Sequence, residues 1–131
     1  MSKNDKKKVL IVDDAAFTRN ILKKIINKTD YSEVVGEAVN GNEAIELYKK
    51  LNPDLMTMDL VMPEKGGIEA TEEIIKMDDN ATIIVVSALG QEALVLEAAK
   101  KGAKDFIQKP FKSEQVLEVL ERILLKSENG E

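Results

Sequence analysis

Three carboxylates, a hydroxyl and a lysine stand where apolar runs end: Asp13 and Asp14 after VLIV, Asp59 after DLMTM, Ser87 after TIIVV and Lys109 after DFIQ. If those runs lie side by side, the five residues share one rim. Two unit charges about 4 Å apart cost on the order of 4 kcal/mol at an effective dielectric of 20, so three carboxylates brought together need a positive partner. Oxygen ligands without histidine or cysteine select a hard divalent cation, magnesium first and manganese second, and such a site keeps open positions for water and phosphate oxygens. Lys109 adds a point charge suited to a phosphoryl oxygen, and Ser87 adds a hydroxyl donor. Singly, each has a plainer role: Asp13 and Asp14 suit a helix N-terminus, Ser87 a strand end, Lys109 a surface. Only the shared rim favours phosphoryl chemistry.

The elements that must position this rim are legible as alternating patterns. KVLIV (8–12), EVVGEAV (33–39), DLMTM (54–58), TIIVV (82–86) and DFIQ (105–108) predict strands. Residues 15–28 carry Phe17, Ile21, Leu22, Ile25 and Ile26 at helical spacing, and segments 41–51, 68–77, 91–101 and 113–126 show the same period. Asn40 and Ser113 are the expected N-caps and Gly102 the expected helix-ending residue. Gly66 and Gly67 are expected at positive φ, and Met56, Met58 and Met62 as core filler. Short links between alternating strands and helices imply parallel pairing, right-handed crossovers and helices on both faces, as do the strands' continuous apolar runs. Ligands of such a sheet bind beyond the carboxyl ends of its strands.

Composition excludes much else. The 131 residues fit one domain, and 44% hydrophobic with 33% charged residues describes a globular chain. No cysteine means no disulfide, thiolate site or cysteine nucleophile; no histidine removes the commonest general base and any Ser-His-Asp triad. A formal charge of −5 argues against a nucleic-acid surface, and Lys6, Lys7 and Lys8 read as a solvated run. No apolar run spans a membrane, and the basic start leads directly into a strand, so the expected location is cytoplasmic.

The set VLIVDDAAF, MTMDLVMPEKGG, IIVVSALG and AKDFIQKPF resembles the receiver domain of two-component response regulators, and in particular the stand-alone chemotaxis regulators. The resemblance implies a flavodoxin-like (βα)5 fold, a doubly wound parallel five-stranded sheet of order 2-1-3-4-5, as a single receiver domain over 1–131 with an ordered core at about 7–126 and short tails. It implies that Asp59 accepts a phosphoryl group from a histidine kinase, that Asp14 and Asp13 hold magnesium with Asp59 and the Val61 backbone carbonyl, and that Lys109 pairs with Asp59 before transfer. Ser87 and Phe106 would be the switch pair, Ser87 moving to the phosphoryl oxygen and Phe106 turning inward, and Lys109-Pro110 would be a cis peptide. The output face would be the fourth helix, fifth strand and fifth helix, residues 91–126, controlling a flagellar or archaeal motor through a switch protein or adaptor, with a phosphatase as a further partner. Such a chain is a signalling protein, not an enzyme, and a monomer; relaying the phosphoryl group to another histidine, or phosphorylation-independent binding, are the alternative outputs.

Two departures from the family pattern matter. Phe106 stands where the best-known relatives carry tyrosine, which removes a hydroxyl contact. Val61 and Leu89, which flank the path of the attacking water in the family, are apolar and imply slow self-dephosphorylation. Two other α/β classes fit less well. A haloacid-dehalogenase phosphatase needs D-x-D after its first strand, and a flavodoxin a hydroxyl-rich phosphate loop where this chain has DDAAF.

Overall fold

Adjacent residues of the first strand point to opposite sides, and both sides are covered. In this computed structural model, which describes residues 5–125, β1 (Lys7–Val12) sends Val9 and Ile11 into one apolar layer and Leu10 and Val12 into another. A strand buried on both faces cannot alternate apolar with polar, which is why VLIV reads as an unbroken run. The chain continues through α1 (Ala16–Lys28), β2 (Ser32–Ala38), α2 (Gly41–Leu51), β3 (Leu55–Asp59), α3 (Gly67–Met77), β4 (Ile83–Ser87), α4 (Glu92–Lys100), β5 (Asp105–Gln108) and α5 (Ser113–Leu120), followed by one π turn, Glu121–Leu125. All pairings are parallel, in the order β2-β1-β3-β4-β5. This is the flavodoxin-like topology expected.

Helices cover the sheet as their apolar spacing directs. Leu22 and Ile26 of α1 and Val116, Val119 and Leu120 of α5 close over Val9, Ile11, Ile84 and Val86. On the other face Ala44 and Tyr48 of α2 and Ala70 and Ile74 of α3 pack on Leu10, Val12, Met56 and Met58. Ala98 of α4 meets Leu60 and Val85 in a smaller cluster. Met56 and Met58 are core residues as expected, and Met62 packs half-buried against the same layer. Among the described residues no helix is long and apolar enough to cross a membrane.

Termini follow local chemistry, with corrections. Asn40 caps α2 as expected, its side chain accepting from Glu43 N–H at 2.9 Å while the Glu43 carboxylate accepts from Val39 N–H at 3.0 Å. Replacing Asn40 with alanine orphans that donor and is expected to cost about 1 kcal/mol, read as a lower urea midpoint at unchanged slope. Gly102, at φ 120, ends α4 in a Schellman motif, with Ala103 N–H reaching Ala98 O and Gly102 N–H reaching Ala99 O. Ser113 is not the cap of α5: Lys112 occupies that position, its N–H satisfied by the Gln115 side chain at 2.8 Å, and Ser113 begins the helix. The α-helix predicted to 126 gives way to the π turn after Leu120, which keeps Leu124 buried. Lys126 and the tail at 127–131 lie outside the described residues, as does all of the 1–6 tail except Asp5 and Lys6.

Gly66 and Gly67 also differ from expectation. Neither has positive φ among the described residues; Glu64 does, at φ 70, at the centre of a tight turn closed by Lys65 N–H to Pro63 O at 2.8 Å. Close approach is what the glycines serve. A Cβ on Gly67 would lie 2.0 Å from the Asp59 carbonyl oxygen, and one on Gly66 3.1 Å from that of Leu60. The loop between β3 and α3 is thus pressed against the strand end, and Gly41 N–H holds Lys65 O from the far side at 2.8 Å.

Candidate functional site

The sheet's carboxyl edge carries the predicted rim. Asp13 follows β1, Asp59 and Ser87 are the last residues of β3 and β4, not the first beyond them, and Lys109 follows β5. Asp13 is fixed by backbone and side chain together. Its N–H donates to Ala38 O at 3.0 Å, its carbonyl accepts from Arg19 Nη1 at 2.8 Å, and its Oδ1 accepts from Ala15 N–H at 2.9 Å. Arg19 also holds Glu37 at 2.9 Å, so α1 and β2 both brace the Asp13 main chain. Sequence reasoning did not find Arg19, because nothing local links it to a residue six positions earlier.

One oxygen of Asp13 is left over. Oδ2 is buried and makes no hydrogen bond, although the Lys109 ammonium lies 3.1 Å away as a charge contact. Lys109 is 3.7 Å from Asp59 Oδ1, so it sits nearer to Asp13 than to the residue the resemblance pairs it with, and spans both. Asp13, Asp14 and Asp59 each offer a carboxylate oxygen within 4.8 Å of the others, Asp14 exposed and its partners buried. One lysine does not neutralise three carboxylates. The imbalance appears at Asp59, whose carboxyl is pushed up to about 6, first by burial and then by the Asp13 charge, against the opposing Lys109 and with a further push from Asp14. A buried carboxylate oxygen that accepts no hydrogen bond, in an all-oxygen cluster whose three carboxylates share one ammonium, fits a hard divalent cation.

Ser87 is buried, and its carbonyl accepts from Lys109 N–H at 2.6 Å, tying the hydroxyl-bearing strand end to the lysine. The Lys109–Pro110 peptide is cis. Phe106 points outward, 51% exposed, beside a cleft of about 340 Å³ whose lining includes Ser87, Val95 and Leu96. Val61 and Leu89 are exposed at 58% and 76%, and neither side chain has a polar group to offer water. The rim residues come together; Phe106 stands apart on the α4 side.

A doubly wound parallel sheet with an acidic cluster and a lysine at its carboxyl edge defines a flavodoxin-like domain with a charged site where such sheets bind ligands. Residues 9–121 match the response regulator receiver domain, and the chain belongs to that family. It is 61% identical over 117 residues to the chemotaxis protein CheY of Thermotoga maritima, covering 89% of this chain and 97% of that one. It is 45% identical over 118 residues to CheY of Halobacterium salinarum, covering 90% and 97%. The solved complex of CheX with CheY, BeF3 and magnesium from Borrelia burgdorferi contains a chain 39% identical to it, with TM-score 0.83 and coverage of 89% and 88%. The chain is therefore a receiver domain homologous to chemotaxis response regulators.

Proposed function

We propose that this chain is a phosphorylation-activated regulator of chemotaxis, with Asp59 as the phosphoacceptor. The observation that carries the reading is the convergence of Asp13, Asp14 and Asp59 on one rim with the Lys109 ammonium as their shared counter-charge, Asp13 Oδ2 accepting no hydrogen bond. Asp13, Asp14, Asp59 and the Val61 carbonyl would hold magnesium, which supplies charge neutralisation when bound; manganese fits the same oxygen donors. An Asp59 carboxylate oxygen attacks phosphorus, the P–N bond of the donor phosphohistidine breaks, and its electron pair leaves with the imidazole. Lys109 neutralises the incoming phosphoryl oxygens, and Ser87 donates its hydroxyl to one of them. The donor histidine belongs to a partner kinase, since this sequence has none.

Signalling follows from where Ser87 and Phe106 lie. Ser87 lines the cleft into which Phe106 turns when the hydroxyl moves toward the phosphoryl group, which changes the face formed by α4, β5 and α5. That face is the surface for a motor switch protein or adaptor, in a single cytoplasmic receiver module. The experiment is intact mass after incubation with acetyl phosphate, with and without magnesium, for the wild type and Asp59→Asn. A magnesium-dependent gain of one phosphoryl group, absent in the variant, is the expected result; no gain leaves a phosphorylation-independent binding module.

Slow loss of the phosphoryl group follows from apolar Val61 and Leu89. Val61→Asn offers the attacking water a hydrogen bond and is expected to shorten the phosphoryl lifetime roughly tenfold, followed as decay of the phosphorylated mass after donor removal. An intrinsically slow regulator calls for a phosphatase partner. The Borrelia burgdorferi relative, solved in complex with CheX, is a precedent for a protein partner on such a receiver.

A further inference from the structure

The peptide between Ser87 and Ala88 faces two ways. Ser87 sends its carbonyl to Lys109 N–H on the β5 side, 2.6 Å away. The peptide is trans, the cis bond among the described residues being Lys109–Pro110, so the Ala88 N–H points oppositely, toward β3. In a continuing parallel ladder it would meet the Leu60 carbonyl. That carbonyl instead accepts from Gly67 N–H at 3.0 Å. Register pairs Asp59 with Val86, so the Ala88 amide stands two residues further along, over the end of the strand that Asp59 terminates.

This amide is nevertheless occupied. Gln91 Oε1 accepts from it at 2.8 Å, and Gln91 N–H returns to the Ala88 carbonyl at 3.2 Å. Gln91 sits at the N-cap position of α4 yet makes no side-chain bond to its own helix. A capping side chain ordinarily turns forward into the first turn; this one turns backward, onto the peptide that borders the phosphoacceptor.

We propose that the Gln91 carboxamide is a latch that competes with the phosphoryl group for the Ala88 N–H. The inference rests on Asp59 being the phosphoacceptor. An anionic oxygen on Asp59 is a stronger acceptor than a neutral carboxamide, so it takes the amide and releases Gln91. The released side chain is then free to cap α4, and the loop at 88–91 is no longer tied to the unphosphorylated arrangement. Gly90, at φ 89 with no atom other than its own and its chain neighbours' within 4 Å of where its Cβ would be, gives that loop room to re-form. Gln91 is a positioning residue: it touches neither the phosphoryl group nor the cation and acts through the Ala88 amide.

Two substitutions at this one half-buried N-cap position have opposite signs. Beryllofluoride, a stand-in for the phosphoryl group, is titrated at saturating magnesium against the wild type, Gln91→Ala, Gln91→Glu and Asp59→Asn, following backbone and side-chain amides by NMR. Gln91→Ala removes the competitor and is expected to bind roughly three- to tenfold tighter, one hydrogen bond's worth. Gln91→Glu keeps the acceptor, strengthens it with charge and repels the anion, so it binds weaker than the wild type. In the wild type the Ala88 amide and the Gln91 side-chain amide shift together. Equal or weaker binding by Gln91→Ala, or a Gln91 side chain that does not respond, overturns the latch while wild-type binding leaves the phosphoacceptor standing. No binding by the wild type removes the phosphoacceptor reading and the latch with it.

Discussion

Asp59→Asn is expected to make the metal-free domain more stable, by on the order of 2–3 kcal/mol above pH 6. The Asp59 carboxyl is pushed up from 3.8 to about 6 in the folded chain because it is buried beside Asp13 and Asp14 with only Lys109 to offset them. Between about pH 4 and 6 the folded state keeps a proton that the unfolded state has released. Stability is therefore greatest below that window and falls as pH rises through it, then levels off once Asp59 is ionised in both states. Asparagine has nothing to ionise, so the variant loses no stability in that window, and its amide can donate to the neighbouring carboxylates. In EDTA at pH 7 its melting temperature should exceed that of the wild type by roughly 10 °C. Magnesium should raise the wild type substantially and the variant little. A variant less stable than the wild type in EDTA would mean that Asp59 is not under charge strain.

Gly67→Ala is expected to be the most damaging single methyl in the molecule, costing on the order of 4 kcal/mol. The new Cβ would meet the Asp59 carbonyl oxygen at 2.0 Å, its carbon at 2.9 Å and Leu60 Cα at 3.0 Å, all backbone atoms with no rotamer to yield. Relief requires lifting α3 off the end of β3, which breaks the Gly67 N–H bond to Leu60 O and moves Asp59 itself. Urea unfolding should show the loss, and phosphoryl uptake should fall with it. Gly66→Ala, with its nearest contact at 3.1 Å and φ −80, serves as the control and should cost about 1 kcal/mol or less. Similar costs for the two would refute the close-packing account.

Much of this was legible in the sequence because the physics is local. A run such as VLIV reports burial on both faces, and Asn40 three residues before Glu43 writes its own cap. The rim was legible because parallel topology brings all strand ends to one edge. What was not legible depends on distant partners. Gly66 and Gly67 invite a reading of positive φ, but whether a glycine serves a turn or a close approach is decided by what lies across from it, here Asp59 and Leu60. Glu64 takes a positive φ at the centre of the tight turn that Lys65 N–H closes onto Pro63 O, with Gly41 N–H holding the next carbonyl, and no glutamate advertises that. Nor does the sequence say that Lys109 leans toward Asp13, which depends on a distance of a few tenths of an ångström. The step from α-helix to π turn at Glu121 has no marker residue at all.

The two large apolar layers have separate memberships, since Leu10 and Val12 answer to α2 and α3 while Val9 and Ile11 answer to α1 and α5. The sheet therefore works as a partition. No hydrophobic residue belongs to both layers, so substitutions far apart on opposite faces are expected to have effects that sum. In evolutionary terms each side can drift on its own clock: the α1 and α5 side can be rewritten for a new neighbour while the α2 and α3 side stays frozen, and the shared strand ends keep the acidic rim in register throughout.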